Sequence, residues 1–238
     1  MKISLFVSGY PRTLFHKFNH NINVIRNSIP DCKVFIFYSF WDELGRSSKI
    51  NDKNHLIIDD YAPRLLTTDA INQYFLECGA DEVDGEIESQ AVMHTILNNS
   101  PFKTQPSLSA QYYKIHRVIE KYYKHDYDFY VRIRPDILIN DFPKEINALN
   151  SKTLIVNHYY WFNALYNGSN VNEMIWASKK EIFKEVNSLY LNQNQLEKQS
   201  NNDEQFGEAL SGKYFDNLLN ANVISSISTF NFDYRVLR

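Results

Sequence analysis

The feature that most narrows the folds open to this chain is a pair of short apolar runs near its N-terminus, separated by a stretch of helical period. Residues 3–7 (Ile-Ser-Leu-Phe-Val) close on Ser8-Gly9, and residues 33–39 (Lys-Val-Phe-Ile-Phe-Tyr-Ser) are β-branched or aromatic nearly throughout. Such runs suit strands buried on both faces. Between them Leu14, Phe18, Ile22, Ile25 and Ile29 recur at helical spacing, Thr13 stands at the N-cap position, and Pro30-Asp31 ends the segment. Strand, helix and buried strand make a βαβ unit, whose right-handed crossover gives parallel neighbours. The expectation is an α/β fold with a mainly parallel central sheet flanked by helices.

Further along the pattern is uneven. Residues 41–54 are polar and read as a loop, 55–58 as a short strand, and 65–78 as a weakly periodic helix; 79–104 carry no clear pattern. A strong helix comes next, capped by Ser107 or Ser109, with Leu108, Tyr112, Ile115, Ile119 and Tyr122 on one stripe. Residues 128–139 read as a strand interrupted by Pro135, and 153–157 and 174–177 as further strands. Residues 181–190 read as a helix and 191–202 as a polar, Gln/Asn-rich loop. Residues 203–220 form another helix, with Asn202 as N-cap and Gln205 completing a capping box. The tail over 223–236 alternates as a strand does. No repeat or linker interrupts residues 1–238, which read as one domain.

Composition excludes several classes of function. The 25 basic and 28 acidic residues are scattered and leave a net charge of −3, so nothing draws the chain to nucleic acid or to an anionic membrane. Two cysteines, Cys32 and Cys78, make neither a disulfide framework nor a zinc site. No apolar run reaches the length of a membrane span. A soluble protein of the cytoplasm is expected.

The segment richest in chemistry is Tyr127-Asp128-Phe129-Tyr130-Val131-Arg132-Ile133-Arg134-Pro135-Asp136. Strand alternation puts Arg132, Arg134 and Asp136 on one face. Two guanidiniums so close on a buried strand need a carboxylate or a bound anion opposite them. A proline has no N–H to give to a ladder, so Pro135 marks the strand's carboxyl end, where open α/β sheets bind ligands. A structural ion-pair network is the competing reading.

This segment resembles the part of GT-A glycosyltransferases where a helix leads into a strand that ends in the DxD motif. It is more closely similar to a set of bacterial and viral polysaccharide-synthesis proteins with YD-x3-RxRPD. Their SG-x-x-RT opening is matched by Ser8-Gly9-Tyr10-Pro11-Arg12-Thr13, and their apolar strand leading to Trp by residues 34–37 and Trp41. The resemblance implies a GT-A fold and transfer of a sugar from a nucleotide-sugar donor to a carbohydrate acceptor. It implies a nucleotide-sugar-binding half over residues 1–140 and an acceptor-binding half over 141–238. Ser8, Gly9, Arg12, Thr13 and Trp41 would contact the nucleotide, and Arg132, Arg134 and Asp136 the diphosphate. Arg134 stands where the first DxD aspartate would be, which leaves Asp136 as the sole acidic member. One carboxylate can still hold Mn2+ or Mg2+ with water and phosphate oxygens; alternatively the two arginines neutralise the diphosphate as bidentate binders.

The loop at residues 8–13 joins a strand to a helix N-terminus, a natural anion site, and it lacks the Walker and GxGxxG patterns. Asp203-Glu204 opens a late helix, where acidic residues are also expected from the helix dipole alone; the resemblance makes one of the pair the base on the acceptor hydroxyl. His158 and Trp161 lie in an aromatic stretch suited to sugar stacking on the acceptor side. Two other classes stay open: a noncatalytic sugar- or nucleotide-binding module of a polysaccharide-assembly complex, and a nucleotidyl- or phosphotransferase on a similar sheet.

Overall fold

The structure is a computed structural model that describes residues 1–11, 14–16, 18–42, 66–124, 126–144, 146–157, 160–163, 168–171, 175–200, 207–230 and 234–236. The chain opens as β1 (Lys2–Gly9), α1 (Phe18–Ser28), β2 (Lys33–Trp41), α2 (Thr68–Glu77), β3 (Glu82–Glu88), α3 (Gln90–Asn98) and α4 (Ser107–Tyr122). Then come β4 (Phe129–Ile133), β5 (Ile137–Ile139), β6 (Thr153–Asn157), β7 (Tyr160–Asn163), β8 (Gly168–Val171) and β9 (Ile175–Ser178). It closes with α5 (Lys180–Val186), α6 (Leu189–Lys198), α7 (Gly207–Asn220), β10 (Ser226–Phe230) and β11 (Tyr234–Val236).

Seven strands form the central sheet in the order β10-β6-β9-β4-β1-β2-β3. β1 pairs in parallel with both β2 and β4, β2 with β3, and β6 with β10, while β9 runs antiparallel between β4 and β6. The expected α/β architecture with a mainly parallel sheet is what the chain adopts. β1 and β2 are buried along nearly their whole length, as their unbroken apolar runs require. The chain leaves β1 toward β2 on one side and reaches β4 on the other, so the strand order reverses between β1 and β4. That crevice at the carboxyl ends is where open α/β sheets accept ligands.

Each sheet face carries its own core. Val131 and Ile133 join Leu5, Val7, Ile22 and Ile25 on the face that α1 and α2 cover. Tyr130, Phe6 and Trp176 join Tyr112, Ile115 and Ile119 of α4 on the other. The predicted stripe of α4 is buried as expected. Its cap is not a serine: the N-cap residue is Pro106, without a side-chain cap bond. Ser107 is already helical, and Ser109 Oγ instead donates to Gln193 Oε1 at 2.7 Å and shares a 2.7 Å contact with Ser100 Oγ.

Several elements differ from expectation. The patternless residues 79–104 hold β3 and α3. β3 is the edge strand of the sheet, and its Glu82, Asp84, Glu86 and Glu88 disguise it, since charges are how exposed edges resist further pairing. At its centre Gly85 lies under Tyr38, whose ring stands 2.3 Å from where a Cβ would be. Most of the predicted polar loop at 191–202 belongs to α6, which begins at Leu189, buries only Leu189 and Leu196 and so shows little apolar periodicity. The helix expected over 181–190 is broken between Val186 and Leu189, where buried Asn187 accepts from Trp176 Nε1 at 2.9 Å and donates to the Phe183 carbonyl at 2.7 Å. The strand expected over 128–139 divides at Arg134 into β4 and β5, and β5 pairs with β11 in a separate two-stranded sheet. The expected strand at 55–58 and the caps at Thr13 and Asn202 lie outside the described residues.

Candidate functional site

A cleft of about 230 Å³ opens at the carboxyl ends of β1, β2 and β4, roofed by α3 and the first turns of α4. Among the predicted residues, Ser8, Gly9, Trp41, Arg132, Arg134 and Asp136 line it together. Arg12, Thr13, His158, Asp203 and Glu204 lie outside the described residues, and Trp161 sits on β7.

The β4 end is built by three successive constraints. Arg132 pairs in register with Phe6 of β1 and Trp176 of β9, which points it into the aromatic face of the sheet. Its guanidinium, 0% exposed, lies over the Trp176 ring at 4.5 Å. A stacked cation of this kind keeps its charge while its face is desolvated. Past Ile133 the chain leaves the ladder and turns, with Ile137 N–H bonding back to the Arg134 carbonyl at 3.3 Å. Buried Asn21 of α1 then anchors β5: its Nδ2 donates to the Ile137 carbonyl at 2.8 Å and its Oδ1 accepts from Ile139 N–H at 2.9 Å. Asp136 is thereby held at the cleft with 1% exposure.

Arg134 and Asp136 form a two-pronged pair, Nε to Oδ1 at 3.0 Å and Nη2 to Oδ2 at 2.6 Å. The shared strand face expected from alternation is not the device that joins them; a turn brings them together, because the ladder ends at Ile133 and Pro135 cannot extend it. The pairing bears on the metal expectation. Asp136 is the one carboxylate lining the described cleft, and Arg134 engages both its oxygens. No group of three or more His, Cys, Asp or Glu that could hold a metal occurs among the described residues. Hard divalent cations need several oxygen ligands, so an ion at Asp136 would compete with Arg134 for its two oxygens and draw the rest of its shell from water and phosphate.

The β1 side is a βα turn. Gly9 has φ of 122°, a conformation that costs a side-chain-bearing residue strain, and it turns the chain across the cleft mouth. Ser8, 3% exposed, turns its Oγ inward, where it has no hydrogen-bond partner. Tyr10 donates from its hydroxyl to Met93 Sδ at 2.8 Å, tying the turn to α3. Trp41 ends β2 as a buried wall, with Lys114 Nζ 4.1 Å over its ring and Tyr113 stacked at 6.1 Å.

Sequence reasoning missed the helical side of the cleft: Met93 and Leu97 of α3, and Ser107, Ala110 and Gln111 of α4. Gln111 is off the apolar stripe, and only the sheet order reveals that this flank of α4 faces the β1–β4 crevice. It also missed the ionic cluster behind Trp41. Lys114, fully buried, donates to Ser39 Oγ (3.1 Å), the Phe40 carbonyl (2.8 Å) and Glu88 Oε2 (2.6 Å). Tyr113 donates to Glu88 Oε1 at 2.9 Å, and Glu86 receives Arg117 at 2.9 Å and Lys121 at 2.8 Å. Burial pushes the Lys114 ammonium below its ordinary value, against the pull of Glu88. Burial pushes Glu86 up, but Lys121 and Arg117 more than reverse this and leave it below the usual carboxylate range.

No helix among the described residues is long and apolar enough to cross a membrane. No family model and no curated protein matches the chain. Among solved structures it is similar to galactosyltransferase LgtC in complex with donor and acceptor sugar analogs, at 11% identity and a TM-score of 0.45, covering 97% of this chain and 73% of that one.

Proposed function

We propose that the chain is a GT-A-type glycosyltransferase that moves a sugar from a nucleotide-sugar donor to a carbohydrate acceptor, in the synthesis of a surface polysaccharide or glycan. The observation that carries this reading is the cleft at the strand-order reversal, where Arg132, Arg134 and an inward-facing Ser8 converge. Two arginines at the carboxyl edge of a parallel sheet suit a diphosphate, because each guanidinium offers a planar fork of donors to phosphate oxygens. The similarity of the SG-x-x-RT and YD-x3-RxRPD segments supplies the sugar-transfer chemistry.

In this reading the donor diphosphate lies against Arg132 and Arg134, and the nucleotide extends toward Ser8, Gly9, Arg12, Thr13 and Trp41. The acceptor approaches from the side of His158 and Trp161. An acceptor hydroxyl oxygen forms a bond to the anomeric carbon while the bond from that carbon to the phosphate oxygen breaks. The bonding pair leaves with the nucleoside diphosphate, whose growing charge the two guanidiniums stabilise. Asp203 or Glu204 takes the hydroxyl proton. Positioning and charge stabilisation supply most of the rate.

The test is a thermal-shift screen followed by a hydrolysis assay. A nucleoside diphosphate at about a hundredfold excess over its Kd should stabilise the fold by about 2.7 kcal/mol, and adenosine should not. Slow release of nucleoside diphosphate from a nucleotide sugar should accompany it. Binding without any turnover favours the noncatalytic module, release of pyrophosphate from a nucleoside triphosphate supplied with a sugar phosphate favours a nucleotidyltransferase, and a flat response to every nucleotide and to pyrophosphate removes the reading.

A further inference from the structure

We infer that Asn187 and Trp176, neither of which lines the described cleft, are positioning residues that set the Arg132 guanidinium for the diphosphate. The inference rests on the proposed function above, since it concerns how one arm of that diphosphate site is held. Its starting point is an amide where the packing calls for an apolar side chain. Asn187 is 2% exposed and follows Phe183 and Val186 of α5 and precedes Leu189 of α6, all three in the apolar core on the α4 face of the sheet. A buried amide is tolerated only with its polar atoms satisfied. Both of its groups are engaged: Oδ1 accepts from Trp176 Nε1 at 2.9 Å, and Nδ2 donates to the Phe183 carbonyl at 2.7 Å. The amide is tied to α5 by one arm and holds the indole with the other.

What the indole holds in turn is Arg132. The two residues are direct cross-strand partners on β9 and β4, so their side chains share one sheet face. The guanidinium carbon lies 4.5 Å from the ring centroid, and the arginine is 0% exposed. Phe215 of α7 meets the same indole at 5.5 Å and 87°. A cation is attracted to the face of an aromatic ring and not to its edge, so the contact depends on the tilt of the indole. The bond from Nε1 to Asn187 fixes that tilt. Arginine grips phosphate as a planar fork, so fixing the surface beneath the fork fixes where its N–H groups point. Three contacts therefore run from the α5–α6 break to the cleft. The competing account is that Asn187 only satisfies a buried indole and the end of α5. Both accounts predict lost stability when Asn187 is replaced; positioning alone predicts lost diphosphate affinity in protein that stays folded.

The experiment is calorimetric titration of the full chain with inorganic pyrophosphate and with UDP, well below each form's melting temperature. The forms are the native protein, Asn187→Leu, Asn187→Asp, Trp176→Phe and the double variant Asn187→Leu/Trp176→Phe. Asn187→Leu removes the acceptor and should weaken pyrophosphate and UDP alike by about tenfold, the lower end of what losing an outer hydrogen-bond partner costs a bound ion. Asn187→Asp is nearly isosteric and keeps an oxygen for the indole. Burial favours its protonated form, which can still donate to the Phe183 carbonyl. It should melt lower and yet bind pyrophosphate as the native protein does. Trp176→Phe keeps a ring beneath the guanidinium without the N–H, and it should lose at least as much affinity as Asn187→Leu. The double variant should lose no more than Trp176→Phe alone, because Asn187 acts only through the indole. The positioning role is overturned if Asn187→Leu and Trp176→Phe bind pyrophosphate as the native protein does. It is overturned equally if Asn187→Asp loses as much affinity as Asn187→Leu, or if the two single losses add; in each case the diphosphate site stands. Should Asn187→Leu fail to fold, Trp176→Phe set against Asn187→Asp decides the same question. If the native protein binds neither pyrophosphate nor UDP, the proposed function falls and takes this inference with it.

Discussion

Two charged clusters flank the carboxyl edge of the sheet, and they are composed differently. Between β3 and α4, Lys114, Arg117 and Lys121 meet Glu86 and Glu88 in pairings of 2.6–2.9 Å, closed further by Ser39 and Tyr113. At the end of β4 the lining charges of the cleft are Arg132, Arg134 and Asp136, two cations to one anion, beside an open volume. The first cluster clamps a charged edge strand to a helix and saturates its own carboxylates. The second leaves a cationic lining where the sheet's geometry admits a ligand. In the first place fixed carboxylates meet the buried charge; in the second, by the reading proposed here, the phosphates of a substrate add to the partners the arginines already have.

The largest effect should come from breaking the first cluster. Glu88→Gln keeps the shape but leaves the Lys114 ammonium, fully buried, without its carboxylate. Loss of one member of a buried pair costs about 3–5 kcal/mol. The apo melting temperature should drop clearly, and turnover per folded molecule should move far less. A lost turnover at unchanged melting temperature would show that Lys114 and Glu88 belong to the site and would erase the distinction.

The second cluster should answer the opposite way. Arg134→Lys keeps a cation beside Asp136 but removes the fork that two-pronged phosphate binding needs. Loss of a transition-state donor costs about 3–4 kcal/mol, or two to three decades in rate. Steady-state kinetics on the variant should show that loss with an apo melting temperature near the native one. Destabilisation with intact specific activity would make Arg134 and Asp136 a structural pair, the same kind of object as the β3–α4 cluster.

The contrast also explains what could be read from the chain. β1, α1, β2 and the stripe of α4 were legible because burial on one or both faces dictates apolar period, and Ile3, Leu5, Ile22, Ile36, Tyr112 and Ile115 obey it. β3 was not, because its register against β2 is held by Glu86 and Glu88 reaching α4 and by Tyr38 covering Gly85, none of which leaves an apolar trace. The arginine segment was legible because two cations on a buried strand are costly enough to need a reason. Gln111 was not, since an isolated amide on a helix flank gains meaning only when the sheet order sets that flank over a crevice.

A smaller effect is expected at Gly85. Gly85→Ala would drive a methyl group into the Tyr38 ring, 2.3 Å away. Tyr38 is pinned through its hydroxyl, which donates to Asn72 Oδ1 at 2.9 Å and the Thr68 carbonyl at 3.1 Å, so the ring cannot yield without loosening α2. Overpacking of this kind costs about 1–3 kcal/mol. Chemical denaturation should report it, with nucleotide affinity unchanged; an unaltered midpoint would show that the edge strand shifts freely.

The smallest expected effect is a pH dependence, and its salt response separates the exposed pairs of the β3–α4 cluster from the buried one. Glu86 has a folded-state pKa below its ordinary value, held there by Lys121 and Arg117 against burial. A carboxyl depressed on folding contributes stability that is complete above its unfolded pKa of about 4.3 and is lost as pH falls through the lower folded value. Glu86→Gln has no such group, so it should lower stability at neutral pH and flatten the acid limb of a stability–pH profile. Arg117 and Lys121 are partly exposed, which lets salt screen them, so raising the ionic strength should shrink the difference between native and variant. The Lys114–Glu88 contact is more deeply buried and should keep its contribution at the same salt. If Glu86→Gln leaves the acid limb unchanged, the pairing around Glu86 contributes nothing on folding. The clamp between β3 and α4 would then rest on Glu88 and its partners Lys114 and Tyr113, and Lys114 is also the residue whose ammonium covers Trp41 at the wall of the cleft.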